Sequence, residues 1–137
     1  MQITTKLDKY LTEFPESGFL WDNANCCHFV GNWVQAATGI NPMDGLRKTS
    51  TAFDAKRLIV EMGGSLEACW TKQMGQDPIL PAFAQTGDIV LVPLPEDDAG
   101  VGICVGLNAI CISTAGKLTR VDMARATHAW RVVSKSA

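Results

Sequence analysis

The residues best suited to chemistry stand together where a polar segment meets an apolar helix: Asn25, Cys26, Cys27 and His28. The side-chain oxygen of Asn25 can accept from the orphan N–H groups of a first helical turn, so Asn25 is a good N-cap. Cys26 then takes the first helical position, where the positive end of the helix macrodipole favours thiolate over thiol. We therefore predict that Cys26 occupies the position of a nucleophile.

A nucleophilic thiol needs a general base within hydrogen-bond reach, and the chain has 2 histidines. His28 lies two residues after Cys26 on the same predicted helix, so the two side chains point about 200° apart. His128 lies just before the last predicted strand, and the fold could carry it towards Cys26. His128 is therefore the candidate base, and a solvated or hydrogen-bonded loop histidine is the alternative interpretation.

A metal site built on the cysteines is the other chemistry to consider. Structural zinc sites place two cysteines about two to four residues apart and draw a second pair from elsewhere. Neighbouring helix residues diverge by about 100°, so Cys26 and Cys27 cannot easily bind one ion. We predict no metal and no other cofactor. The remaining cysteines are interpreted as small core hydrophobes: Cys69, Cys104 and Cys111.

Composition and charge exclude several classes of function. The 137 residues suffice for one domain, and 47% hydrophobic with 19% charged residues is typical of a globular protein. The formal net charge of −2 is scattered along the chain, so nucleic-acid binding has no electrostatic support. The first residues lack a signal peptide's apolar run, and no stretch could span a bilayer. We expect folding in a reducing cytosol, with neither nucleic acid nor membrane as a partner.

Helices in the first half of the chain must position Cys26. Apolar spacing and capping residues predict a first helix, a central helix that starts at Cys26 and ends before Gly39, and a third helix that ends at Gly63. The central helix is the most apolar of them and should be the most buried. The predicted spans are 4–14, 26–38 and 51–62, followed by an unassigned apolar piece at 66–70 and a loop at 75–84.

Strands are predicted in the second half, where short β-branched runs alternate with turn residues. Helices that precede a run of strands favour the α+β class with an antiparallel sheet. The predicted organisation is a single domain over 1–137, with a helical part at about 1–64 and a β-meander at about 86–134. The predicted strands cover 88–92, 101–105, 109–113, 117–121 and 130–133.

The order of several short motifs resembles a known family. Asn25-Cys26 at a helix start, Gly87-Asp88-Ile89 at a strand start, and a Val-Gly-Ile-x-x-Gly strand at 101–106 follow the order of NlpC-type cell-wall peptidases, which have a papain-like fold. The chain more closely resembles an uncharacterised family of tailed phages and prophages related to those peptidases. Further motifs of that family are matched by Trp21, by Thr38-Gly39, by the Gly-Ile-Cys-Val-Gly run at 102–106 and by the Ala-Trp-Arg-Val run at 129–132.

The resemblance spans nearly the whole chain and implies a papain-like, NlpC-like fold, with N-terminal helices packed on about five antiparallel strands. The chain departs from the active peptidases at the catalytic base, where they carry a histidine just before the Val-Gly-Ile strand and this chain has Gly100. Glycine cannot transfer a proton, and losing a positioned base removes about 100- to 10,000-fold of rate. The family's usual acidic or polar residue before the cysteine is Asn25 here, a further departure.

The resemblance therefore implies a tail-tip or baseplate protein with a structural or assembly role, which has kept a peptidase fold and lost the chemistry. Its expected partners are other phage tail proteins of the tip or hub, with peptidoglycan as a further candidate. It would be made in the host cytoplasm and end in the virion tail. An interface could be anchored by an exposed tryptophan near an element end, such as Trp21 or Trp130, although core packing is the favoured interpretation.

Two alternatives stay open. An active cysteine peptidase or amidase would cleave peptidoglycan peptides during cell entry, with Cys26 as nucleophile, His128 as base and backbone N–H groups at the helix start as oxyanion donors. A shift of one residue in that helix start would exchange Cys26 and Cys27. A binding module directed at a host protein is the other alternative, although no residue points to a target.

Overall fold

The computed structural model describes residues 2–14, 26–44, 52–94, 97–112 and 118–133. These residues form helices followed by strands that pair antiparallel throughout, which confirms the predicted α+β class. The helices are α1 (Ile3–Glu13), α2 (Cys26–Thr38), α3 (Ala52–Glu61) and α4 (Leu66–Met74), and the strands are β1 (Ile89–Leu94), β2 (Asp97–Cys104), β3 (Asn108–Ile112), β4 (Leu118–Asp122) and β5 (His128–Trp130).

The helical part extends beyond its predicted end at about residue 64. The unassigned apolar piece is the first part of α4, which begins because the Ser65 side chain accepts from the N–H of Ala68. Gly75 ends α4 in the left-handed conformation, with φ of 66°. Sequence periodicity missed this helix because only its first half is apolar, and its second half, up to Met74, is mostly polar.

The strand order in the sheet is β4-β3-β2-β1-β5. Strands β1 to β4 form the predicted meander, but β5 crosses to the opposite edge and pairs with β1. It also begins at His128, two residues before the predicted start at Trp130. The sheet ends after Trp130 because the backbone N–H groups of Arg131 and Val132 bond to side chains, those of Gln76 and Asp88.

The β2–β3 hairpin shows why glycine occurs at two places in the 102–106 motif. Its two-residue turn begins at Gly106, whose φ of 94° suits glycine and little else. A Cβ at Gly102 would come within 2.5 Å of the Cys111 sulfur and 2.7 Å of the Ile110 carbonyl oxygen. The turn therefore requires Gly106 and close strand packing requires Gly102, whatever the protein does.

The two faces of the sheet bury different sets of side chains. The first face packs against α1 and α2, and the fully buried Trp33 lies at its centre. The second face packs against the connecting segments around Ile79 and Met123. The first face is formed by Ile89, Leu91, Val101, Ile103, Ile110, Ile112 and Trp130, and the second by Val90, Val92, Cys104, Ala109, Cys111 and Ala129.

Candidate functional site

Cys26 is the first residue of α2, as the sequence predicts. Its side chain lies outside the described residues, as do Trp21 and Asn25, so the predicted nucleophile and its cap stay predictions. Cys27, the neighbouring thiol, is half-buried and packs against the first-face core. The described part of α2 therefore starts at the predicted place, and one of its two cysteines is turned towards the core.

The remainder of α2 is held rigidly by its neighbours. The buried indole of Trp33 donates to the carbonyl oxygen of Gly87 at 2.8 Å, which joins α2 to the start of β1. The Tyr10 hydroxyl of α1 donates to the carbonyl oxygen of Phe29 at 2.5 Å, and the two rings lie 5.7 Å apart. Burial raises the pKa of Tyr10 above its usual value, so this donor stays protonated.

The other described cysteines are core residues, as predicted. Cys69, Cys104 and Cys111 are buried. Burial raises the pKa of the Cys69 and Cys104 thiols, because a thiolate loses solvation in an apolar environment. The negative charge of Asp88 raises the pKa of Cys104 further. Raised pKa values keep Cys69 and Cys104 as unreactive thiols near neutral pH.

His128, the candidate base, lies in β5 and not in a loop. Its Nδ1 is 2.9 Å from the Thr127 hydroxyl oxygen, and its Nε2 is 3.3 Å from a carboxylate oxygen of Glu67 in α4. Its ring stacks on Trp130 with centroids 6.3 Å apart. Both ring nitrogens therefore already have polar partners, and neither of these partners is a thiol.

Strand pairing defines which face of the sheet each position occupies. His128 pairs with Leu91, which pairs in turn with Val101, so His128 shares the face that α1 and α2 cover. Gly100 pairs with Val92, whose side chain belongs to the second face. A side chain at position 100 would thus project away from α2. The only described histidine on the sheet lies on the α2 face, next to α4.

A buried carboxylate at Asp88 escaped the sequence analysis. Its side chain is 1% exposed and accepts from the backbone N–H of Gln85 at 2.8 Å and of Val132 at 3.0 Å. The guanidinium of Arg131 lies 3.4 Å from it. Asp88 therefore joins the start of β1 to the segment after β5. The Gly-Asp and Ala-Trp-Arg-Val motifs meet here, so both have a structural reason.

Glu67 is the other residue that the sequence analysis missed. It lies in the first turn of α4, where a carboxylate is favoured by the helix macrodipole. Its contact with His128 joins residues 61 positions apart in the sequence, which no local pattern encodes. An acidic residue two positions after the Ser65 cap was the available signal, and it indicates a helix start and not a site.

Neither the metal-ligating side chains of the described residues nor an open cleft beside α1 adds a further candidate site. Among the described residues, no group of three or more His, Cys, Asp or Glu side chains could hold a metal ion. An open cleft of about 350 Å³ between α1 and α2 is lined by Lys6, Lys9, Tyr10, Glu13 and Ala36, with no thiol or imidazole. None of the described helices is both long and apolar enough to span a bilayer.

Comparison with known proteins identifies a family and no activity. No curated protein sequence matches the chain. A family model described as a domain of unknown function, DUF6950, matches residues 1–132. The match includes all the described helices and strands and the Asp88 network. The chain therefore belongs to the DUF6950 family.

Proposed function

We propose that the protein is a structural or assembly component of a phage or prophage tail tip or baseplate, with an NlpC-like, papain-like fold that has lost catalysis. The proposed loss of catalysis rests on the absence of a proton acceptor at the expected position. Gly100 takes the place of the expected histidine, and it is buried in β2 opposite Val92. His128, the candidate replacement, has both ring nitrogens engaged by Thr127 and Glu67.

The phage setting rests on the motif order, and the fold is consistent with it. A helix that starts at Cys26 packs on an antiparallel sheet, which is the arrangement that the resemblance implies. The motifs at Asp88 and Gly102 serve packing and hydrogen bonding, so a chain without activity would still need them. An assembly role would need the fold and would not need the base.

Among the described residues, docking to tail proteins would use apolar side chains other than tryptophan. The tryptophans at positions 33, 70 and 130 are buried, as the favoured interpretation predicts, so they cannot anchor an interface. Leu80, 65% exposed, precedes the 3-10 turn Pro81–Phe83, and Phe83, 64% exposed, ends it. Val133 follows β5 and is 71% exposed. Large exposed apolar groups of this kind supply much of the binding energy in protein interfaces.

Deletion and point substitution in the phage or prophage that encodes the chain test the proposal. We expect deletion of the gene to give incomplete tails. A gene that carries only Cys26→Ala should give normal particles and normal infectivity. The purified protein should release no peptides from peptidoglycan. Normal particles after deletion would contradict the assembly role, and peptide release that Cys26→Ala abolishes would contradict the loss of catalysis.

One observation favours the alternative of an active peptidase or amidase. The carboxylate of Glu67 holds the His128 imidazole, as an orienting group holds a catalytic base. In that case Cys26 would be the nucleophile, His128 the base and Glu67 the orienting residue. His128→Ala should then abolish peptidoglycan cleavage, and Glu67→Gln should reduce it. A protein that shows no cleavage in the first place excludes this candidate.

A further inference from the structure

At the β4 edge of the sheet, the backbone groups of Arg120 and Asp122 have no partner among the described residues. Strand β4 pairs with β3 on one side, and none of the described residues pairs with the other side of positions 119–122. The N–H of Met123 donates to the carbonyl oxygen of Leu107 at 2.9 Å, which fixes the alternation of the β3–β4 ladder. By that alternation Arg120 and Asp122 direct their N–H and C=O groups outwards.

The side chains on this edge carry opposite charges two positions apart. Arg120 and Asp122 are both exposed and share one face of β4, since they lie opposite Ile110 and Asn108. Within the described residues, neither forms an ion pair. One Asp122 carboxylate oxygen accepts from the N–H of Ala124 at 2.9 Å, which leaves the other oxygen available.

We propose that β4 pairs with β4 of a second copy of this chain, antiparallel, about a two-fold axis at Val121. In this register Arg120 of each copy lies opposite Asp122 of the other. Both residues direct their backbone groups outwards, so each such pair exchanges two backbone hydrogen bonds. The two reciprocal pairs also place opposite charges directly across from each other. The sheet of one copy then continues into that of the second.

The charge order selects this register and this occupant. A two-fold axis at Arg120 would place the two guanidinium groups opposite each other, which destabilises a strand pair. An axis at Val121 makes the order of charges complementary to itself, so an identical strand fits without any other partner. The proposal goes beyond the tail-assembly role, because it concerns self-association and can fail without affecting that role.

Sedimentation of the purified full chain tests the pairing. A short strand pair buries less than a standard interface, so we expect a weak dimer between about 10 µM and 1 mM. Arg120→Asp or Asp122→Arg alone should raise the dissociation constant about tenfold or more, because two attractions become two repulsions. A mixture of the two variants should associate again, since one copy then presents only acidic and the other only basic residues.

Arg57→Asp, which makes the same change of charge on the exposed face of α3, is the matched control and should dimerise like the wild type. Asp122→Arg could fail to fold because it loses the contact with Ala124. In that case the comparison of Arg120→Asp with Arg57→Asp is sufficient to test the pairing. Loss of self-association in Arg120→Asp but not in Arg57→Asp supports the pairing. The proposal is overturned if the wild type is monomeric at about 1 mM, or if neither Arg120→Asp nor Arg57→Asp disrupts the dimer.

Discussion

The two edges of the sheet differ in whether their outward backbone groups have hydrogen-bond partners among the described residues. At the β5 edge, Ile79 exchanges two backbone hydrogen bonds with Ala129, at 2.7 and 3.1 Å. The Gln76 side-chain amide does the same for the backbone of Arg131, with both distances at 3.1 Å. At the β4 edge, no described residue satisfies the outward groups of Arg120 and Asp122. Open edges are templates for pairing with another strand, so the difference indicates where a partner can bind.

The edges also differ in the motifs that they contain. The Gly-Asp motif at Asp88 and the Ala129–Val132 run lie together at the closed edge, where Asp88 accepts from Val132. Strand β4 contains none of the motifs that carry the family resemblance. The motifs of the resemblance therefore lie in the framework that closes one edge, and β4 lies outside them.

The largest expected effect is at the closed edge. Asp88→Ala leaves the N–H groups of Gln85 and Val132 without acceptors, and we expect a loss of about 2–4 kcal/mol in unfolding free energy. Urea denaturation measures it. Asp122→Ala, at the open edge, removes an exposed turn contact and should lose about 1 kcal/mol or less. Equal losses at the two sites would mean that the edges do not differ as described.

A smaller effect is expected at Gln76. Gln76→Ala removes two hydrogen bonds to Arg131, and we expect a loss of about 1–2 kcal/mol, since each bond contributes about 1 kcal/mol. Thr119→Ala on exposed β4 is the control and should change stability by about 0.5 kcal/mol or less. Wild-type stability in Gln76→Ala would show that the amide does not close the edge.

Hydrogen exchange compares the edges without substitution. In dilute protein the amides of Ala129 and Arg131 should be protected, and those of Arg120 and Asp122 should exchange much faster. At high protein concentration the amides of Arg120 and Asp122 should gain protection if β4 pairs with β4 of a second copy. Slow exchange of Arg120 in dilute protein would contradict an open edge.

The smallest effect is expected for the Glu67–His128 pair. These side chains are 45% and 33% exposed, so Glu67→Ala should lose no more than about 1 kcal/mol in unfolding free energy. His128→Ala should lose a similar amount, with no change at the distant β4 edge. A loss several times larger would show that the pair holds α4 on the sheet and is not a surface contact.

The elements were largely predictable from sequence, because their signals are local. The start of α2 at Cys26 followed from a cap and an apolar run, and the strands β1 to β4 followed from β-branched runs between glycines. Helix α4 escaped because the Thr, Lys and Gln residues of its second half have no apolar period, which left the apolar piece at 66–70 too short to assign. The place of β5 beside β1 escaped because crossing to the far edge depends on distant contacts such as Ile79 with Ala129.

The site was less predictable, for the same physical reason. His128 was chosen by elimination, since it was the histidine left after His28. Its partner Glu67 and its position on the α2 face depend on strand pairing and on the placement of α4, which the sequence does not show locally. The buried Asp88 was part of a recognised motif, but its partner Val132 lies 44 positions away in the chain.

The measurement closest to the central claim is the rate at which Cys26 of the folded protein is alkylated as a function of pH. The Cys26→Ala variant shows how much of the alkylation is due to Cys26, and the Cys27→Ala variant removes the alkylation of Cys27. If no imidazole serves Cys26, the rate profile should be identical in the wild type and in His128→Ala. A fast reaction near neutral pH that His128→Ala abolishes would show a working thiol–imidazole pair and contradict the loss of catalysis.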